Sequence, residues 1–216
     1  MTEKSEEKST TSETFEIAAF CCKRGRFVSS EINLPESALL VVDVQEYFFN
    51  PESSANIAFS GAIIGKILKS IKFFRGKNRP IIFTRHAEKR DSPEFPKNRI
   101  WRSRLFEDMP ESNFYRELPI NCADKILIKN TFSAFHGNDL ESFLKSRGVR
   151  FVFMVGVNTH ICIESSARNA FDCGFLPVIL ADACASWKAE QHLRSLKNIS
   201  DGIGWITDCS QLMELA

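Results

Sequence analysis

A chain of 216 residues that is 44% hydrophobic and 25% charged has the proportions of one globular domain, not those of a fibrous or largely disordered protein. Its 28 Lys and Arg against 27 Asp and Glu leave a formal charge of +1, so no basic surplus argues for nucleic acid or an anionic membrane, and a small molecule is the expected partner. No apolar run approaches the ~20 residues of a membrane span and the N-terminus lacks the apolar core of a signal peptide, which makes a cytoplasmic location the expectation.

Residues 1–14 are almost entirely Thr, Ser, Glu and Lys and read as a disordered tail. Residues 15–36 carry Phe15, Ile17, Phe20, Phe27, Val28, Ile32 and Leu34, an appendage that is either a peripheral hairpin or an oligomer contact. From Ser37 to the end, short apolar runs alternate with segments of helical period, the signature of βα units and a parallel sheet. Ala38–Val42 reads as the first buried strand. Ile63, Ile64, Ile67, Leu68, Ile71 and Phe74 fall at helical spacing, with Gly76 as a stop. Pro80–Thr84 is the second strand, and an aromatic, Arg-rich crossing segment surrounds Trp101. Ile126–Ile128 is the third strand, followed by a helix through Leu140, Phe143 and Leu144 that Gly148 ends. Phe151–Val155, a helix over 160–173, Leu176–Ala181, a helix over 188–199 and a strand over 203–206 complete the order.

Such a sheet gathers ligands at the carboxyl ends of its strands. Three polar residues occupy those ends: Asp43, Lys129 and, just beyond the fourth strand, Cys162. Their chemistry is coherent. A thiol is a weak nucleophile until a base removes its proton, and a lysine can hold the carboxylate base ionised. Cys162 is expected in the first turn of the helix beginning near Thr159, where free N–H groups favour a thiolate or an oxyanion. The alternative for each residue alone is plain: a turn-forming aspartate, a buried inert thiol. Seven cysteines, an odd count without paired CxxC spacing, fit neither a disulfide framework nor a structural zinc site.

The run Gly156-Val157-Asn158-Thr159-His160-Ile161-Cys162-Ile163-Glu164-Ser165-Ser166-Ala167-Arg168-Asn169-Ala170 resembles the isochorismatase-like hydrolase pattern G-V-x-T-x-x-C-V-x-x-T-A-R-D-A. Leu40-Val41-Val42-Asp43-Val44-Gln45 with Tyr47-Phe48, and Lys129 followed by Phe132-Ser133-Ala134-Phe135, resemble the superfamily's other signatures, in agreement over roughly residues 37–208. The resemblance implies a doubly wound, Rossmann-like, mostly parallel six-stranded sheet with helices on both faces. It further implies a catalytic Asp43, Lys129 and Cys162, a cis peptide at Val157–Asn158, and an oxyanion hole from the backbone N–H groups of Asn158 and Cys162. Homo-oligomers, dimers or tetramers, are common in the superfamily.

Nicotinamidases of this superfamily place an Asp-x-His pair after the second strand and bind a divalent metal. Here that segment is Thr84-Arg85-His86, so neither a metal nor another cofactor is expected. Glu190-Gln191-His192-Leu193 and Ser133-Ala134-Phe135-His136 resemble the true isochorismatases instead, yet the siderophore-pathway members carry Gly in place of Cys162 and Gln in place of His86. Phe48, Trp101 and Phe132, with Tyr47, can wall a small flat pocket. Arg85, Arg99, Arg102 and Arg104 either recognise a carboxylate there or form a solvated face or subunit contact, and His86 is a further pocket candidate.

Three functions are therefore carried forward. The first is metal-independent hydrolysis of a C–N bond in a small amide, carbamoyl or ureido substrate through an acyl-enzyme on Cys162. The second is vinyl-ether hydrolysis with Asp43 as the acid and Cys162 incidental. The third is a non-catalytic binding protein that keeps the fold.

Overall fold

A computed structural model describes residues 29–101 and 104–215. The expected tail and the appendage up to residue 28 lie outside them; Ser29–Glu31 and Leu34–Glu36 are single 3-10 turns leading into the domain.

Six strands, β1 (Ser37–Val42), β2 (Ile81–His86), β3 (Lys125–Lys129), β4 (Phe151–Val157), β5 (Leu176–Ala185) and β6 (Trp205–Thr207), form one all-parallel sheet in the order β3-β2-β1-β4-β5-β6. All six residues of β1 and all seven of β4 are buried, which is why these strands read as unbroken apolar runs instead of alternating ones. Seven helices complete the described chain: α1 (Glu46–Phe49), α2 (Ser60–Gly76), α3 (Pro96–Trp101), α4 (Leu140–Lys145), α5 (Glu164–Asp172), α6 (Ala189–Ser200) and α7 (Cys209–Glu214).

The alternation of side chains along the strands divides the core in two. Leu40, Val42, Val152, Met154 and Ile179 face Leu144, Ala167, Ala170, Leu196 and Ile199 from α4, α5 and α6. Leu39, Val41, Phe83, Phe153, Val155 and Leu180 face Ile63, Ile67, Ile71 and Phe74 of α2 and Leu212 of α7. Helices thus cover both faces.

The chain winds outward from β1 in one direction and from β4 in the other, so the strand order reverses between them and leaves a crevice at their carboxyl ends. Gly156 makes this junction possible: its φ is +115°, and a Cβ there would lie 2.1 Å from the Val42 carbonyl oxygen. Three local details differ from the sequence expectation. The first long helix runs through Gly76, and its left-handed turn residue is Asn78 at φ 54°. The helix expected over 160–173 opens as a π-helical turn, Thr159–Ile163, before α5. Helices α1 and α3, at four and six residues, are too short to show a 3.6-residue period.

Candidate active site

Asp43, Lys129 and Cys162 converge on the crevice. Asp43 ends β1 in a left-handed conformation, φ 52°, unusual for a residue with a Cβ. Its carboxylate is completely buried and both oxygens are engaged. Lys129 Nζ, itself buried, donates to Oδ2 at 2.7 Å, and Thr84 Oγ1 donates to Oδ1 at 2.6 Å. Cys162 Sγ, an Asp43 carboxylate oxygen and a His86 ring nitrogen all lie within 4.8 Å of one another. Gln45 fixes the His86 backbone beside them, accepting from His86 N at 2.8 Å and donating to His86 O at 3.1 Å.

The turn that carries Cys162 is held from two sides. Ser166 Oγ donates to the Cys162 carbonyl at 2.6 Å, and His192 Nδ1 from α6 meets Thr159 Oγ1 at 2.8 Å. Ser195, also on α6, places its hydroxyl 2.6 Å from Glu164 Oε2 and 3.0 Å from the Thr159 carbonyl. The Val157–Asn158 peptide leading into the turn is cis.

Burial dominates the electrostatics. It is the largest influence on Cys162 and pushes its thiol up to about 12, with Lys129 opposing and Asp43 reinforcing the shift. Cys162 does lie in the first turn from Thr159, as expected, but that turn is π-helical and burial outweighs any help it gives a thiolate, favouring the neutral thiol. Burial also works against the charge on Lys129, but with the Asp43 carboxylate as the leading opposing influence the ammonium is raised above its ordinary value. For His86, burial first and the Lys129 charge next lower the ring to about 3, so it is neutral near pH 7.

Beside the thiol lies a cavity of about 80 Å³. Phe48, His86, Trp101, Phe132, Asn158 and Cys162 line it, as the sequence suggested, together with Tyr47. Trp101 packs on Trp187 with ring centroids 4.9 Å apart and lies 6.3 Å from Phe132. Arg85 is not among the lining residues. Its guanidinium reaches outward toward Asn113 Oδ1, because alternation along β2 turns it away from both Thr84 and His86. Arg99 is exposed, Arg104 pairs with Glu88 at 2.8 Å, and Arg102 lies outside the described residues.

Six lining residues were not singled out from the sequence: Glu88, Lys97, Asn98, Leu105, Ile161 and Trp187. Lys97, Asn98 and Trp101 share one face of α3, but a six-residue helix shows too little period for the sequence to reveal it. Thr84 was noticed only as a missing metal ligand, whereas its hydroxyl supports Asp43. The donor set does not suit the divalent metal of the nicotinamidases. Thr84 stands where a carboxylate would bind, and His86 Nε2 sits 2.8 Å from the Lys97 ammonium. A dication among Asp43, His86 and Cys162 would meet the charges of both Lys97 and Lys129.

Residues 37–211 match the family model described as the isochorismatase domain. The chain belongs to the isochorismatase family. It is 30% identical over 179 residues to nicotinamidase 3 of Arabidopsis thaliana, covering 82% of this chain and 86% of that protein. Among solved structures, a cysteine hydrolase from Pseudomonas syringae pv. phaseolicola superposes with a TM-score of 0.81 at 24% identity, covering 85% of this chain and 93% of that one. N-carbamoylsarcosine amidase from Thermoplasma acidophilum superposes with a TM-score of 0.72 at 21% identity, covering 81% and 96% respectively. Family membership makes the chain a hydrolase, and the superpositions show the same fold.

Proposed function

We propose that this hydrolase cleaves a C–N bond of a small amide, carbamoyl or ureido compound by way of an acyl-enzyme on Cys162. The observation that carries the reading is the placing of a buried carboxylate and the Cys162 sulfur within 4.8 Å of one another at the wall of a cavity. Amidases among the similar proteins, the nicotinamidase and the N-carbamoylsarcosine amidase, add support from kinship.

A thiol pushed up to about 12 does not ionise at rest, so its proton passes to Asp43 as the sulfur closes on the carbonyl carbon. The S–C bond forms while the carbonyl electrons move to oxygen, where the N–H groups of Asn158 and Cys162 are the donors we assign to the oxyanion. Asp43 then returns the proton to the leaving nitrogen as the C–N bond breaks. Water, deprotonated by the same carboxylate, hydrolyses the thioester and restores the thiol. Lys129 and Thr84, donating to its two oxygens, hold the Asp43 carboxylate in place between turnovers.

Vinyl-ether protonation would need the acid but not the sulfur. Turnover by Cys162→Ala and Asp43→Asn proteins on a panel of amides, ureido acids and isochorismate, with and without chelator, separates the two chemistries. We expect both variants to lose amide or ureido turnover by at least about 10³-fold, and the wild type to keep its rate in chelator. Near-full activity of Cys162→Ala beside a dead Asp43→Asn would replace the amidase reading with the vinyl-ether one.

A further inference from the structure

The cavity beside the thiol is lined by part of a charged assembly that holds more cations than carboxylates. Lys97 Nζ lies 2.6 Å from Glu88 Oε1 and 2.8 Å from His86 Nε2. An ammonium has three protons. Among the described residues none accepts the third, although Lys97 lines the cavity. Glu88 in turn is shared: Arg104 approaches its Oε2 at 2.8 Å and Asn98 Nδ2 donates to the same oxygen at 3.2 Å. One carboxylate therefore serves two cations. Counting Asp43 with Lys129, the site and its immediate support hold three cations against two carboxylates, with the His86 ring neutral. Side chains of Lys97 and Glu88 are only 11% and 1% exposed, so water does little to screen the surplus charge.

Unpartnered polar atoms belong to residues of the same cavity. The buried side-chain atoms without a hydrogen-bond partner among the described residues are His86 Nδ1, Asn98 Oδ1 and Asn158 Oδ1, and all three residues line this one cavity. The orientation of Asn98 is fixed because its NH₂ faces the Glu88 carboxylate, which leaves its oxygen as a free acceptor. Asn98 and Asn158 are 94% and 97% buried by their relative exposures of 6% and 3%. Buried acceptors of this kind call for donors from a ligand.

We propose that Lys97 holds a carboxylate of the substrate while the amide oxygens of Asn98 and Asn158 accept N–H groups of the same molecule. The substrate class is then a small amide or ureido compound that also bears a carboxylate, in preference to a neutral or cationic one. This rests on the C–N hydrolase reading and narrows it. Arg104 contributes from behind, by sharing Glu88 so that Lys97 is not fully neutralised, and a substrate carboxylate completes the charge balance. With a cavity of about 80 Å³, such a substrate is a compact acid of few heavy atoms.

Matched probes test the assignment: succinamate against succinamide, and N-carbamoylglycine against N-carbamoylglycinamide, each pair differing only by carboxylate or carboxamide. Binding is measured by calorimetry on Cys162→Ala, alone and combined with Lys97→Met or Lys97→Arg, and ammonia release is measured on proteins that keep the cysteine. In at least one pair the carboxylate should bind at least tenfold more tightly and be turned over with the higher kcat/KM. Lys97→Met should collapse that ratio toward one and Lys97→Arg should retain most of it, with thermal melting confirming that both variants are folded. A ratio near one in the parent protein, a ratio that survives Lys97→Met, or no binding of any probe overturns the proposal. Because binding is read without the sulfur, a clear carboxylate preference with no ammonia release from the wild type would count against C–N hydrolysis and not against the subsite.

Discussion

At the scale of single residues, the site is a set of buried polar groups whose states are fixed by one another. Asp43 has no contact with solvent, so its two short hydrogen bonds from Lys129 and Thr84 replace the hydration it loses. Thr84 is the more informative of the two to change, since valine keeps its shape and its β-branching in β2. Hydrogen bonds to a charged group contribute about 1.5–3 kcal/mol. Thr84→Val should therefore lower kcat/KM by roughly ten- to a hundredfold with the fold intact, measured on whichever probe the wild type turns over; an unchanged rate would show that Lys129 alone orients the carboxylate. The sequence made the trio visible because each member sits at a strand end within a recognisable motif. It did not reveal Thr84's role or the presence of Lys97 and Asn98, because a hydroxyl, a lysine and an amide are common everywhere and their meaning lies in which neighbour the fold brings to them.

Among the elements, β1 and β4 matter most, because their carboxyl ends supply Asp43 and the turn bearing Cys162. They pair in register from Ser37 against Phe151 to Val42 against Gly156. The last of these pairs tolerates no side chain on the glycine. In Gly156→Ala the new methyl would overlap the Val42 carbonyl, and the φ of +115° is strained for any L-residue. Overpacking and backbone strain together destabilise by on the order of 3 kcal/mol or more. We expect a melting temperature lower by many degrees or insoluble expression; a variant with the wild-type melting point would mean that the strand ends separate without penalty. Both strands were legible as apolar runs of the right length for a doubly buried strand. The π-helical turn was not, since Thr159-His160-Ile161-Cys162-Ile163 has no residue whose chemistry distinguishes five-residue from four-residue hydrogen bonding. The strand order, too, has no local signal; the resemblance implied a doubly wound sheet but not the order β3-β2-β1-β4-β5-β6.

For the molecule as a whole, burying neutral imidazoles makes stability depend on pH. Burial lowers His86 to about 3 and His192 to about 4, from an ordinary 6.5. Above pH 6.5 both rings are neutral whether the chain is folded or not. As pH falls below that value the unfolded chain gains protons that the native chain refuses, so stability present at pH 7 is lost progressively toward pH 4. By pH 5 each histidine accounts for about 2 kcal/mol of that loss. His192→Gln, which can still donate to Thr159 from α6, should reduce the difference in unfolding free energy between pH 7 and pH 5 by about that amount in urea titrations. Identical pH dependence in the variant and the wild type would show that the ring is protonated in place.

The sheet order has a kinetic corollary. Lys129 is 86 residues from Asp43 in sequence, and the strand that leads to Cys162 pairs with the one that ends at Asp43 only after every intervening segment has been looped out. Closing such loops costs entropy before any contact rewards it, so contacts of this range form late. Until they do, Cys162 is an ordinary thiol in a solvated chain with no carboxylate beside it. The carboxylate–sulfur pair that the proposed chemistry needs is therefore absent from the nascent and the half-folded chain alike, and arrives with the final pairing at the centre of the sheet.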